Sequence, residues 1–198
     1  MQTKPLKLNT FKKIWIQPKE TMRYIIDTDP EIHVVPLAFI SGICRALLSN
    51  ASAPLGALLI DAIMGGISGL IALAIGGYLL TWVGNLLGGT AERQHVRAAI
   101  GWSSLPDIAL FVLLIVPTVV LGSSNFDALS SLMDSQPLLA SSIPILFTSI
   151  SYFFLAWRIY ILANCLGEAN QFSVWKGLAT AVIGILILLI PTALLQLR

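Results

Sequence analysis

The sequence predicts an all-α polytopic membrane protein: a bundle of five transmembrane helices behind an amphipathic cytoplasmic N-terminal segment. Three observations carry this. Of the 198 residues, 56% are hydrophobic and only 11% charged, with a mean hydropathy of +0.83, where a soluble domain carries about 25% charged residues. Five windows long enough to cross a hydrocarbon core of ~30 Å are nearly free of Asp, Glu, Lys and Arg. The connections between those windows carry lysine and arginine only alternately.

The windows run over about 34–51, 62–87, 96–121, 142–165 and 177–197. They are rich in leucine and isoleucine and lack the strict alternation of a transmembrane barrel strand. Residues 1–33 hold six basic residues and no apolar stretch like the core of a signal peptide. They are expected to persist as a cytoplasmic segment, with 34–198 as the transmembrane domain.

Lys4, Lys7, Lys12, Lys13, Lys19 and Arg23 precede the first span, Arg93 and Arg97 separate the second and third, and Lys176 separates the fourth and fifth. The connections over about 52–61 and 122–141 hold no lysine or arginine. The amino terminus is therefore expected in the cytoplasm and Arg198 outside, in a plasma or inner membrane. Trp15, Trp82, Trp102, Trp157 and Trp175 all fall near predicted cytoplasmic ends, where indoles favour the headgroup layer.

In the head segment, Phe11, Ile14 and Trp15 fall at helical spacing, and after Pro18 so do Met22, Ile25 and Ile26. Two short amphipathic helices follow, capped by Asn9 or Thr10 and ended at Asp29-Pro30. Their apolar stripe suits either the membrane surface or a protein partner. Glu20, Asp27, Asp29 and Glu31 offset much of the positive charge, so a pure lipid-binding polybasic patch is disfavoured.

The first span contains Arg45, about 16 Å past Val34 at 1.5 Å per residue. An unpaired guanidinium there is costly, so it either snorkels outward or pairs with Asp61 of the next helix. The stretch from Ser49 to Asp61 reads as an outer loop with an interfacial turn over Leu55 to Ile60. Beyond it, Gly65, Gly69 and Gly77 share one face of the second span, and Ser68, Ala72 and Gly76 the adjacent one. Small residues at this spacing allow close backbone approach in lipid. The second span is expected to be the bundle's centre, with homodimerisation through the same face as the alternative.

The third span contains Pro106 and Asp107 side by side. Proline removes a backbone donor and kinks the helix, and Ser103 and Ser104 can reach the freed groups. Asp107 and Arg158 of the fourth span fall at similar depths from the cytoplasmic surface. They are expected to pair inside the bundle, with Tyr160 or Asn164 assisting; the alternative is a polar cavity open to the cytoplasm. The last two spans hold no further Asp, Glu, Lys or Arg. Cys44 and Cys165 lie at different depths and read as apolar fillers.

No catalytic constellation emerges: there is no Gly-x-Ser-x-Gly, no His-Glu-x-x-His and no phosphate-cradling glycine loop followed by lysine. His33 and His95 are too few to hold a metal. No catalytic residue, cofactor, metal site or nucleic-acid partner is predicted.

The opening Trp15-x-x-Pro18-Lys19-Glu20-Thr21-Met22-Arg23, the loop LGGTAERQHVRAAIGWSSLP and FSVWKGL at the start of the last span together resemble the Yip domain family. Gly101, Trp102 and Pro106 match its Gly-aromatic-x-x-x-Pro motif. The resemblance covers nearly the whole chain and implies a small five-span integral membrane protein without enzymatic chemistry. Eukaryotic members are associated with Rab-type GTPases and vesicle traffic, and carry a longer head with an Asp-x-Tyr-Gly-Pro-like motif. Here only Asp27-Thr28-Asp29-Pro30 stands in that place, which argues against a Rab-type GTPase and looks more like prokaryotic members. The function implied is a membrane-organising or trafficking-type adaptor, partnered by the bilayer and by a second copy or another membrane protein. The alternative is a small transporter or channel using Asp107, Arg158 and Arg45.

Overall fold

The computed structural model describes residues 9–50, 53–115, 131 and 135–196, and every regular element among them is a helix. The two head helices are α1 (Asn9–Ile16) and α2 (Pro18–Thr28). Then follow α3 (Val34–Ser49), α4 (Leu55–Leu86), α5 (Arg93–Trp102), a helix over 105–115 (α6), α7 (Pro137–Ala169) and α8 (Val174–Gln196). Three stretches are long and apolar enough to cross a bilayer: Leu55–Leu86, Arg93–Ile115 and Ser141–Ala169. Two apolar helices are shorter, Val34–Ser49 and Val174–Ile190. The end of the expected third span, most of the connection after it and Leu197 lie outside the described residues.

The stretch Leu55–Ile60 is not an interfacial turn. It forms the first turns of α4, which runs unbroken for 32 residues. Pro54 sits just before the helix, where its missing N–H costs nothing, and no proline lies between Leu55 and Gly65.

Helices α3 and α4 cross at glycines. A β-carbon on Gly65 would lie 2.7 Å from the Gly42 carbonyl oxygen and 2.5 Å from the Ala46 β-carbon, and one on Gly69 would meet the Ala38 carbonyl. Gly76 and Gly77 face α5 instead, against Ile100 and Arg97. The glycines thus serve two neighbours in turn, and α4 also packs on α8, but α5, enclosed by α2, α3, α4 and α7, is the more central helix of the described bundle, and the expectation that the second span holds that place is not met. Helices α7 and α8 form a hairpin through Gln171, whose φ of 56° reverses the chain. There the backbone of Gly177 lies against the Ala163 carbonyl.

The deepest burial is at one end, where α1, α2, the start of α3, α5 and the end of α7 meet. Ile14, Met22, Ile25, Val34, Val96, Trp102, Ile161 and Leu166 are wholly buried there. By contrast Ile63, Ile67, Ile71 and Ile75 leave the outer face of α4 apolar and exposed, as a helix facing lipid requires.

This burial corrects the expectation for the head stripe. Ile14, Met22 and Ile25 are covered by the chain's own helices, and Phe11, Trp15 and Ile26 pack against the same core. Ile14, Met22 and Ile25 are therefore closed to both lipid and partner, while Phe11, Trp15 and Ile26 stay partly accessible. Amphipathic periodicity names an apolar face without naming its cover, and here α5 and α7 provide it. Trp102 likewise lies in the protein interior, not among headgroups, with its ring centroid 4.9 Å from that of Phe11.

Candidate functional site

Two polar arrangements stand out. The first is between the helices. Helix α5 ends at Trp102, and a turn at Ser103 and Ser104 separates it from α6. Pro106, with no N–H to donate, is buried in the first turn of α6. The serine hydroxyls donate to the carbonyls three residues back, Ser103 to Ile100 at 2.9 Å and Ser104 to Gly101 at 2.6 Å, and neither reaches the Trp102 carbonyl that Pro106 leaves without its usual donor. The Asp107 N–H then donates to the Ser104 carbonyl at 3.0 Å, which restarts the helix.

This break aims Asp107 at α7. Arg158 donates from Nη1 to Asp107 Oδ2 at 2.6 Å, with 24% and 13% of the two side chains accessible. A charge-assisted hydrogen bond of this length in a low-dielectric setting is strong. Asn164 does not assist: its amide donates to the Tyr160 carbonyl at 2.8 Å, and neither reaches the pair.

Arg45 and Asp61 form no ion pair. With Gly65 level with Ala46, Asp61 falls a full turn beyond Arg45, so the two charges miss each other in register. Arg45 instead lines a cavity of about 390 Å³ with Arg158, and is within electrostatic range of Asp107.

The second arrangement is at the end of the bundle where the head helices dock. Arg23 Nε donates to Glu168 Oε1 at 2.5 Å, and Lys19 stands 3.9 Å from the other carboxylate oxygen. The carboxylate raises the Arg23 pKa above its ordinary value. Arg97 pairs with Glu31 at 3.0 Å, and Arg93 lies 3.7 Å over the Tyr78 ring. Each contact ties the head or the α4–α5 connection to the bundle. Glu168, Gly42 and Gly177 escape the sequence reading; only the small-residue run of α3 and the lone acid ending α7 could have marked the first two. Among the described residues no three His, Cys, Asp or Glu side chains lie together as a metal set.

With the geometry in place, comparison with known families decides the identity. A model of the Yip1 domain matches residues 12–195. The chain belongs to the Yip1 domain family. Neither a curated protein nor a solved structure gave a match. Membership makes this a membrane protein of the Yip type, in a family generally without enzymes. The Gly101-Trp102-Pro106 motif of this Yip1 domain has a local physical sense. Gly101 lets the start of α3 approach, since a β-carbon there would sit 3.0 Å from Val34 Cγ1. Trp102 fills the core under Phe11, and Pro106 restarts the broken helix. In the FSVWKGL stretch, Gly177 lets α8 close onto α7.

Proposed function

We propose that this Yip1-domain protein is a five-span, non-catalytic membrane organiser or adaptor, with a cytoplasmic head and an external carboxyl terminus in a plasma or inner membrane. The carrying observation is the docked head: α1 and α2 bury their apolar stripe on the bundle and turn a polar face outward. That face presents Lys12, Lys13, Glu20 and Tyr24, all exposed. A fixed, mixed-charge surface on a membrane bundle suits recognition of another membrane protein or a second copy. The three charges between helices do not form a relay, because Asp107 and Arg158 neutralise each other and leave Arg45 alone.

Crosslinking and affinity purification of the full chain from native membranes tests this reading. A membrane-protein partner should be recovered with the native chain and lost when Lys12, Lys13 and Glu20 are replaced together by serine. An ion flux in reconstituted liposomes that vanishes with Asp107→Asn would reject the adaptor role in favour of transport. Impermeant labelling of single cysteines at positions 20 and 198, in a chain lacking Cys44 and Cys165, reports the orientation of the ends.

A further inference from the structure

Among the described residues, the cavity between α3, α4, α5 and α7 gathers more positive than negative charge. Arg45 and Arg158 both line it, with Ser41, Ser68, Ser104 and Leu73 among the walls. Among the described residues Asp107 pairs with Arg158 and not with Arg45. Arg158 gives it one of five N–H donors. None of the described residues hydrogen-bonds or ion-pairs with the Arg45 guanidinium, which is exposed along one wall of the cavity. A lone guanidinium on an apolar helix is costly and calls for an acceptor.

The serines do not answer that need. Each hydroxyl proton is already given to backbone: Ser41 to Ala38 at 3.1 Å, Ser68 to Gly65 at 2.9 Å and Ser104 to Gly101 at 2.6 Å. They shape a polar wall, while the arginines supply the donors and the surplus charge. The volume of about 390 Å³ exceeds what one or two ions need. Arg45 lies about 6 Å short of the end of α3 at Ser49, and Ser49 stands on the rim, so the cavity reaches the level where headgroups begin.

We propose that this cavity is an oxyanion site, in which Arg45 and the free donors of Arg158 hold a phosphate-type group. Planar guanidinium forks match phosphate oxygens bidentately, and two converging forks match a tetrahedral group better than one. The group comes either from the headgroup of an anionic lipid, with acyl chains lying along the exposed face of α4, or from a free anion. The site itself does not depend on the adaptor reading; only the lipid source rests on the membrane placement.

Thermal unfolding of the full chain in a neutral maltoside detergent tests it, with dioctanoyl phosphatidylglycerol, inorganic phosphate and dioctanoylglycerol as probes. At a hundredfold excess over Kd, a phosphate-bearing probe should raise Tm by roughly 5 °C or more. Arg45→Gln should abolish the rise and Arg45→Lys should retain part of it. Ser68→Leu, which fills the cavity from its wall without removing charge, should also abolish it, and serves if Arg45→Gln does not fold. A rise with the lipid alone assigns a headgroup, and an equal rise with inorganic phosphate assigns a free anion. The proposal fails if neither phosphate-bearing probe raises Tm, if dioctanoylglycerol does so equally, or if the folded Arg45→Gln or Ser68→Leu chain responds like the native one.

Discussion

Glu168, at the end of α7, accepts a hydrogen bond from Arg23 Nε across 145 positions of sequence, and so fastens the head to the bundle. The acid is nearly buried, with 11% of its side chain accessible, while Arg23 reaches it from a 66% exposed position. The contact is a latch on a face already held by apolar packing.

Removing that latch should loosen the head without unfolding the bundle. Glu168→Gln is expected to speed trypsin cleavage at Lys12, Lys13 and Lys19 several-fold while Tm moves little. Unchanged cleavage kinetics would show that packing alone holds α2.

Alkali should leave the latch closed. Because the hydrogen bond to Glu168 raises the folded-state pKa of Arg23 above its unfolded value, its contribution is complete below that unfolded value and declines only as pH rises through the folded pKa. Cleavage rates corrected for the protease's own pH response should stay level from pH 7 to about 9.5. Salt is different: exposed Arg23 and Lys19 are screened, so 1 M salt should accelerate cleavage.

Asp107→Ala and Arg158→Ala should each destabilise by about 3–5 kcal/mol, toward the lower end because both side chains retain some access, since each leaves a largely buried charge alone. The double alanine variant should be less destabilised than the two single losses added. A double-mutant cycle in detergent unfolding measures the coupling, and additive losses would contradict a direct pair.

At the helix crossing, Gly42→Ala places a methyl against the Gly65 carbonyl, where backbone cannot give way cheaply. A loss of about 1–3 kcal/mol is expected. Gly56→Ala, at a site with no atom within 4 Å, should be neutral or slightly stabilising. Comparable Tm values for the two variants would overturn the close crossing.

Trp102→Ala should cost about 3–5 kcal/mol and free the head, because it empties the core beneath Phe11. Spin labels at Ile14 or Met22 should be shielded from both aqueous and lipid-soluble quenchers in the native chain, and exposed after Trp102→Ala. Lipid-quencher access in the native chain would restore the membrane-surface placement.

The parts of the molecule that sequence makes readable are those fixed by one helix at a time. The contact between Asp107 and Arg158 follows from counting rise along two spans from a common surface, and Pro106 marks its own break. What involves three or more elements is not readable that way. The fate of Ile14, Met22 and Ile25 depends on α5 and α7, which their period cannot name. Arg45 and Asp61 miss each other because the α3–α4 register is set by which glycines meet, and Gly42 carries half of that choice. Glu168 finds Arg23 only once the chain has folded back on itself, so no local pattern joins them.

The length of α4 has a consequence for where the protein can reside. Its 32 residues extend about 48 Å, against a hydrocarbon thickness of ~30 Å, and its first turns expose Leu55, Leu59 and Ile60. At a 20° tilt it still spans about 45 Å, so hydrophobic side chains project past the acyl region of an ordinary bilayer. Steeper inclination is opposed by the close glycine crossing with α3, which would have to lean with it. The mismatch energy is relieved in thicker membranes, so lipid-chain length should bias the distribution of this protein between coexisting domains, and in thin bilayers it should thicken its own annulus of lipid.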